Sequence, residues 1–133
     1  MHRWPVRVYY EDTDLAGIVY YANYLRFIER ARTEWIRELG IDQTRLKQVE
    51  GAVFAVRRVE ADYLSPARFD DALTVTTAPL RLTPARIELD QQVLRHDRVL
   101  FAARVTLACL GPDMRPRRLP SGLAAALSAL MRN

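Results

Sequence analysis

Tyr10-Glu11-Asp12-Thr13-Asp14-Leu15-Ala16-Gly17-Ile18-Val19-Tyr20-Tyr21-Ala22-Asn23-Tyr24 is the stretch over which the chain changes from a strand to a helix. Before it, Val6, Val8 and Tyr10 alternate with Arg7 and Tyr9, a two-residue period that predicts a strand over about Arg3–Tyr10. After it, Tyr24, Ile28, Ala31, Trp35 and Leu39 share one stripe, with Arg26, Glu29, Arg30, Thr33 and Arg37 opposite. That is the period of an amphipathic helix, and Gly40 suits the position just past its end. The junction itself carries two carboxylates two residues apart, which would point to similar sides if the chain stays extended there. It then has a glycine-containing turn and a helix start free of acidic residues. Unpaired N–H groups at such a start, near Tyr21, stabilise developing negative charge. A base or nucleophile beside them is what acyl transfer needs. The plain alternative is that Asp12 and Asp14 cap their own turn, as Asp readily does.

Working outward, the rest of the chain reads as strands. Val53–Tyr63 alternates, Ser65-Pro66-Ala67-Arg68-Phe69-Asp70-Asp71 is turn chemistry, and Leu73–Pro79, Arg86–Arg95 and Val99–Leu110 are further runs. A short helical piece is expected around Thr44–Val49 and another after Pro112, Pro116 and Pro120. Pro5 suits the start or edge of a sheet. The order strand, long helix, four strands predicts an α+β fold, one five-stranded antiparallel sheet packed on a long helix, in a single domain over 1–133. Such a sheet leaves edges exposed, and pairing with a second copy would cover them, so a homodimer or homotetramer is expected.

The 133 residues carry a formal charge of +4, with Lys47 the only lysine and the arginines scattered among acids. Either they form a solvated surface or a few of them meet an anionic ligand, for which the guanidinium fork is suited. No nucleic-acid-binding motif is present. Apolar runs fall short of the ~20 residues a spanning helix needs, and no signal peptide precedes Trp4, so a cytoplasmic protein is the default expectation. The lone cysteine, Cys109, alternates with Phe101, Ala103, Val105 and Leu107 and reads as a buried small residue. It can form no intrachain disulfide, and no Cys/His spacing for a metal exists.

The histidines, His2 and His96, fall at the N-terminus and in a hairpin turn. Ser-His-Asp and Cys-His chemistry therefore lack a base, and Gly17 alone makes neither a P-loop nor a dinucleotide fingerprint. Carboxylate chemistry is what remains.

The first motif, continuing into Phe27-Ile28-Glu29-Arg30-Ala31-Arg32-Thr33-Glu34, resembles the hotdog-fold acyl-CoA thioesterases of the 4-hydroxybenzoyl-CoA thioesterase type. The resemblance extends to Arg3–Tyr10, to Tyr63–Asp71 and to Arg115–Pro120, and is strongest to the bacterial subgroup associated with the Tol-Pal cell-envelope system. It implies a central helix wrapped by the sheet, two protomers joined into a ten-stranded sheet, and hydrolysis of acyl-CoA to CoA and a carboxylic acid without a cofactor. It assigns the catalytic carboxylate to Asp14, as nucleophile or general base, and the carbonyl-polarising N–H to Tyr21. Asp12 would order the turn, and Gly17 would let the backbone pass close to the acyl group. Many members of the subgroup carry His where this chain has Tyr21. For the CoA phosphates, the corresponding basic cluster is reduced here to Arg81 and Arg86, flanking Leu82-Thr83-Pro84-Ala85. The acyl pocket would run past Tyr24, Phe54 or Val56.

Two other classes compete. A non-catalytic hotdog scaffold would bind acyl carrier protein, or phospholipid-synthesis and envelope partners, and the +4 charge suits an acidic carrier. Asp14 and Gly17 favour the enzyme, since a scaffold needs no carboxylate at that turn. Dehydratases of the same fold depend on a helix histidine, which this chain lacks.

Overall fold

A computed structural model describes residues 1–132. Its elements in chain order are β1 (His2–Arg7), α1 (Asn23–Glu38), α2 (Gln43–Glu50), β2 (Val53–Tyr63), β3 (Ala72–Leu82), β4 (Arg86–Arg95), β5 (Arg98–Leu110) and α3 (Ser121–Met131). The five strands form one antiparallel sheet in the order β1-β3-β4-β5-β2. The α+β expectation holds, and Pro5 does lie on an edge strand, where its missing donor costs no ladder bond.

Alternation along the strands separates two faces. Val75, Ile87, Leu89, Val93, Phe101, Val105 and Leu107 turn inward and are almost fully buried. Against them α1 presents Tyr24, Phe27, Ile28, Ala31, Trp35 and Ile36. Each of the large aliphatic and phenylalanine side chains among these is worth about 1.5–3 kcal/mol relative to exposure, so this contact is the main stabilising term. The helix rests chiefly on β1, β3 and β4. The edge strand β2 stays open, with Val56, Val59 and Tyr63 all more than a third exposed. Cys109 is buried as expected, and burial raises its pKa, with Arg117 opposing.

Two boundaries differ from the sequence reading. The first strand ends at Arg7 because the chain tightens into a 3₁₀ turn over Tyr10–Asp12. That turn also removes the extended geometry in which Asp12 and Asp14 would point the same way. The helix begins at Asn23, two residues after Tyr21, because the chain first makes a turn at Tyr21 and Ala22. Its other end falls where expected: Gly40, at φ +90°, donates to the Arg37 carbonyl (3.0 Å) and Ile41 to that of Ile36 (3.3 Å).

Candidate active site

Residues 12–20 form a small hairpin. Tyr20 N–H donates to the Asp12 carbonyl (2.8 Å), Thr13 pairs with Val19, and Asp14 N–H donates to the Ile18 carbonyl (2.9 Å). Leu15, Ala16 and Gly17 make the tip. Gly17 sits at φ +80°, where a side chain would be strained, and its N–H closes the turn on the Asp14 carbonyl (3.0 Å). A Cβ added there would meet nothing within 4 Å among the described residues. The glycine is thus required by the backbone angle, and the close approach expected for it has no counterpart within this chain.

The two acids have separate environments. Asp12 is buried, with Oδ2 accepting from Tyr9 N–H (2.8 Å) and Oδ1 from Asn23 Nδ2 (3.0 Å). It ties the end of β1 to the start of α1, the ordering role expected of it. Asp14 is exposed; Oδ1 accepts from Ala16 N–H (2.9 Å), and Oδ2 makes no bond within the described residues. The turn-capping reading of Asp14 is therefore half right: one oxygen caps, the other faces outward.

Directly opposite residues of an antiparallel pair share a face. Asp14 stands opposite Ile18 in the hairpin, and Ile18 lines an apolar cleft of ≈320 Å³ together with Val19, Tyr21, Tyr24, Tyr63, Leu64, Ser65 and Pro66; Asp14 itself is not part of that lining. The cleft is floored by aromatic rings: Tyr24 stacks on Phe101 at 5.1 Å, and Tyr63 meets both edge-on. Its far wall is the 64–71 loop. Ala67 N–H donates to Tyr24 Oη (3.0 Å), and Arg95 reaches both the Pro66 carbonyl (3.3 Å) and Asp71 (2.8 Å). Burial raises the Tyr24 pKa; the Ala67 N–H and Arg95 offset part of that.

The start of α1 opens beside this cleft without a cap. Ala22, at the N-cap position, has no side-chain acceptor, and the first turn holds no acid. Among the described residues the Tyr21 N–H donates to no acceptor, while the Tyr20 carbonyl accepts from Asn23 N–H (2.8 Å). Because a trans peptide points its C=O and N–H in opposite directions, that bond aims the Tyr21 N–H out of the helix end.

Arg81 and Arg86 lie elsewhere, on the sheet face turned away from α1. They share a groove of ≈390 Å³ with Arg57, Arg58, Thr83, Glu88 and Thr106. Strand register explains the gathering: Arg81 opposes Glu88, Glu88 opposes Thr106, and Thr106 opposes Arg58, one row across four strands. A bulge between Val56 and Arg58 adds Arg57. Arg58 pairs with Glu60 (2.8 Å) and Arg81 loosely with Glu88 (3.9 Å). Along β2 the groove is five residues from Tyr63, roughly 17 Å at strand rise. Asp14 and Gly17 therefore share the hairpin that precedes α1, Tyr21 follows in the turn before the helix, and the arginines are not part of that segment. Tyr24 lines the cleft, as expected; Phe54 and Val56 do not. Sequence reading missed Tyr63 as a cleft residue and Arg57 and Arg58 as groove residues, which only the pairing of β2 with β5 could reveal.

Comparison with known proteins bears on the family and the fold. Residues 8–127 match the family model of the thioesterase-like superfamily. The acyl-CoA thioester hydrolase YbgC of Escherichia coli O6:H1 is 40% identical over 127 residues, 94% of each chain. The acyl-CoA thioesterase YbgC of Haemophilus influenzae is 41% identical over 128 residues, 96% of this chain and 94% of its own. Among solved structures, a probable thioesterase from Bartonella henselae superposes with a TM-score of 0.86 at 39% identity, covering 90% of this chain and 98% of its own. No helix among the described residues is long and apolar enough to cross a membrane.

Proposed function

The chain belongs to the thioesterase-like superfamily and is an acyl-CoA thioesterase; from that premise we propose that Asp14 drives hydrolysis while the Tyr21 N–H holds the thioester oxygen. The observation that supports this is the hairpin register, in which Asp14 stands across from cleft-lining Ile18 next to an uncapped helix start. The acyl group enters the aromatic cleft and its carbonyl oxygen accepts from the Tyr21 N–H, gaining most as charge builds on it. Oδ2 of Asp14 either attacks the carbonyl carbon, giving an anhydride that water opens, or removes a proton from attacking water. In both routes the C–S bond breaks and the thiolate of CoA leaves.

The phosphates of CoA fall to the arginine groove, with Arg57 and Arg58 added to Arg81 and Arg86. A second copy pairing along β2 would close the open sheet edge, the dimer that the exposed Val56, Val59 and Tyr63 favour. The groove's charge supports a second reading as well, docking of an acidic acyl carrier protein or of envelope partners, with the cleft receiving the carrier's acyl group.

The test is thiol release from short, long and aromatic acyl-CoAs by wild type and by Asp14→Asn. We expect turnover of at least one class and a loss of about 10²–10⁴-fold in kcat in the variant at unchanged melting temperature. A folded Asp14→Asn protein with full activity overturns the assignment of Asp14.

A further inference from the structure

We infer that Tyr63 is a positioning residue, whose phenol sets the orientation of the Tyr21 N–H through the Tyr21 carbonyl. The inference rests on the oxyanion role proposed above for that N–H. Tyr63 stands at the end of β2, on a different element from the hairpin and from α1, and its hydroxyl donates to the Tyr21 carbonyl at 2.9 Å. In a helix continued one turn further, that carbonyl would take the N–H of Leu25, four residues on. Here the Leu25 N–H turns to the Ala22 carbonyl instead (3.2 Å). The phenol occupies the place of a helical donor, so the helix stops at Asn23 and the Tyr21 peptide units stay outside it.

Tyr21 is thereby held on both sides. The peptide before it is fixed by the Asn23 N–H on the Tyr20 carbonyl, and the peptide after it by Tyr63. The Tyr21 N–H lies in the first of these planes, and the second, held by Tyr63, fixes φ and ψ of Tyr21 behind it, so the donor cannot swing by rotation at Tyr21. The phenol itself is held by packing: the Tyr63 ring meets Tyr21 at 6.2 Å, Tyr24 at 5.6 Å and Phe101 at 5.1 Å, all edge-on. Burial, with Tyr21 and Tyr24 adding to it, raises the Tyr63 pKa, so the group remains a protonated donor through the neutral range. Nothing in the alternation of β2 distinguishes this tyrosine from a strand-end aromatic; its role appears only when the end of β2 reaches the start of α1.

Tyr63→Phe keeps the ring and removes the donor. Kinetics on the best acyl-CoA substrate should show kcat reduced about tenfold to a hundredfold with KM within about twofold, since a misaimed oxyanion donor costs more in the transition state than in the ground state. Hydrogen exchange of the amides at residues 20–23 should speed up in the same variant, while the melting temperature and exchange elsewhere on α1 stay put. A bulk packing role predicts the opposite pattern, a raised KM and a lowered melting temperature, which is what Tyr63→Leu should give. Wild-type kcat together with unchanged exchange at residues 20–23 in Tyr63→Phe overturns the inference. Faster exchange in Tyr63→Phe with kcat unaltered, and Asp14→Asn inactive, keeps the hydrolase and removes the positioning role. If wild type turns over no substrate, the proposed function fails by itself, and the exchange data alone decide whether Tyr63 holds the Tyr21 turn.

Discussion

The two ends of α1 are built by opposite rules. The C-terminal end is closed: the Gly40 and Ile41 N–H groups cap the carbonyls of Arg37 and Ile36, Arg37 lies in the last turn, and Glu38 pairs with His2 at 2.9 Å. At the N-terminal end there is no side-chain cap and no acid in the first turn, and an aromatic cleft lies alongside. Volume does not make the difference, because a hollow of ≈390 Å³ lined by Trp35, Leu39, Thr77 and Pro79 lies beside the closed end. What marks the open end is backbone polarity left without a partner among the described residues, just after the hairpin that carries Asp14. A helix that gives up a cap gives up about 1 kcal/mol, and here that forgone stability coincides with the place where a ligand oxygen would be held.

The contrast predicts that perturbing the open end changes activity and perturbing the closed end changes stability alone. The largest effect on both together should come from Asp12→Ala. It strands the Tyr9 N–H and the Asn23 amide, both paired to the buried carboxylate, and an unsatisfied buried donor costs about 1–3 kcal/mol. Urea unfolding should register a loss of about 3 kcal/mol, and kcat should drop too because the hairpin loses its tie to α1. A variant as active and as stable as wild type would mean that Asp12 is not the pin.

Gly40→Ala is the matching change at the closed end. Alanine at φ +90° is strained by about 1–2 kcal/mol, though no neighbour crowds the added methyl. The expected outcome is a melting temperature lowered by several degrees with kcat and KM unaltered. A fall in kcat at permissive temperature would show that the two ends are coupled and would blur the contrast.

How much of this was legible beforehand follows from the range of the interactions. The α1 stripe, Gly40, α2 and the β4–β5 hairpin depend on neighbours within a few residues, and local periodicity reveals them. The end of β1 is hidden from the pattern because Val8 and Tyr10 keep the alternation while Asp12 pulls the backbone into a 3₁₀ turn, a side-chain bond that no hydropathy pattern records. Arg32 was read only as part of a motif, yet it is buried and bonded to Gln91 (2.9 Å), which in turn donates to the Ile28 carbonyl and Thr77. Burial lowers its pKa, with Glu29 opposing, and the whole network depends on a contact 59 residues long. Tyr63, Arg57 and Arg58 were missed for the same reason: their partners are set by register between β2 and elements far along the chain.

The smallest expected effect lies at the outer wall of the cleft and sharpens the comparison through pH. Asp71 holds the 64–71 loop by accepting from the Arg68 N–H and from Arg95. Burial by itself would raise the Asp71 pKa, but the Arg68 N–H and the Arg95 guanidinium outweigh it and leave it below the ordinary carboxylate value. A carboxyl depressed in the folded state adds stability that is complete above its unfolded pKa, about 3.9, and disappears as pH falls through the folded value. Both side chains are about three-quarters buried, yet a pair near the surface is worth only about 1 kcal/mol or less. Arg95→Gln should therefore be less stable than wild type by about that amount at pH 7 and by progressively less below about pH 4, as read from urea midpoints at each pH. Because the same loop presents Ser65 and Pro66 to the cleft, KM should rise slightly at pH 7 while Gly40→Ala leaves it alone. A stability difference that persists unchanged at pH 3 would assign the effect of Arg95 to its bond with the Pro66 carbonyl, which does not titrate, instead of to Asp71.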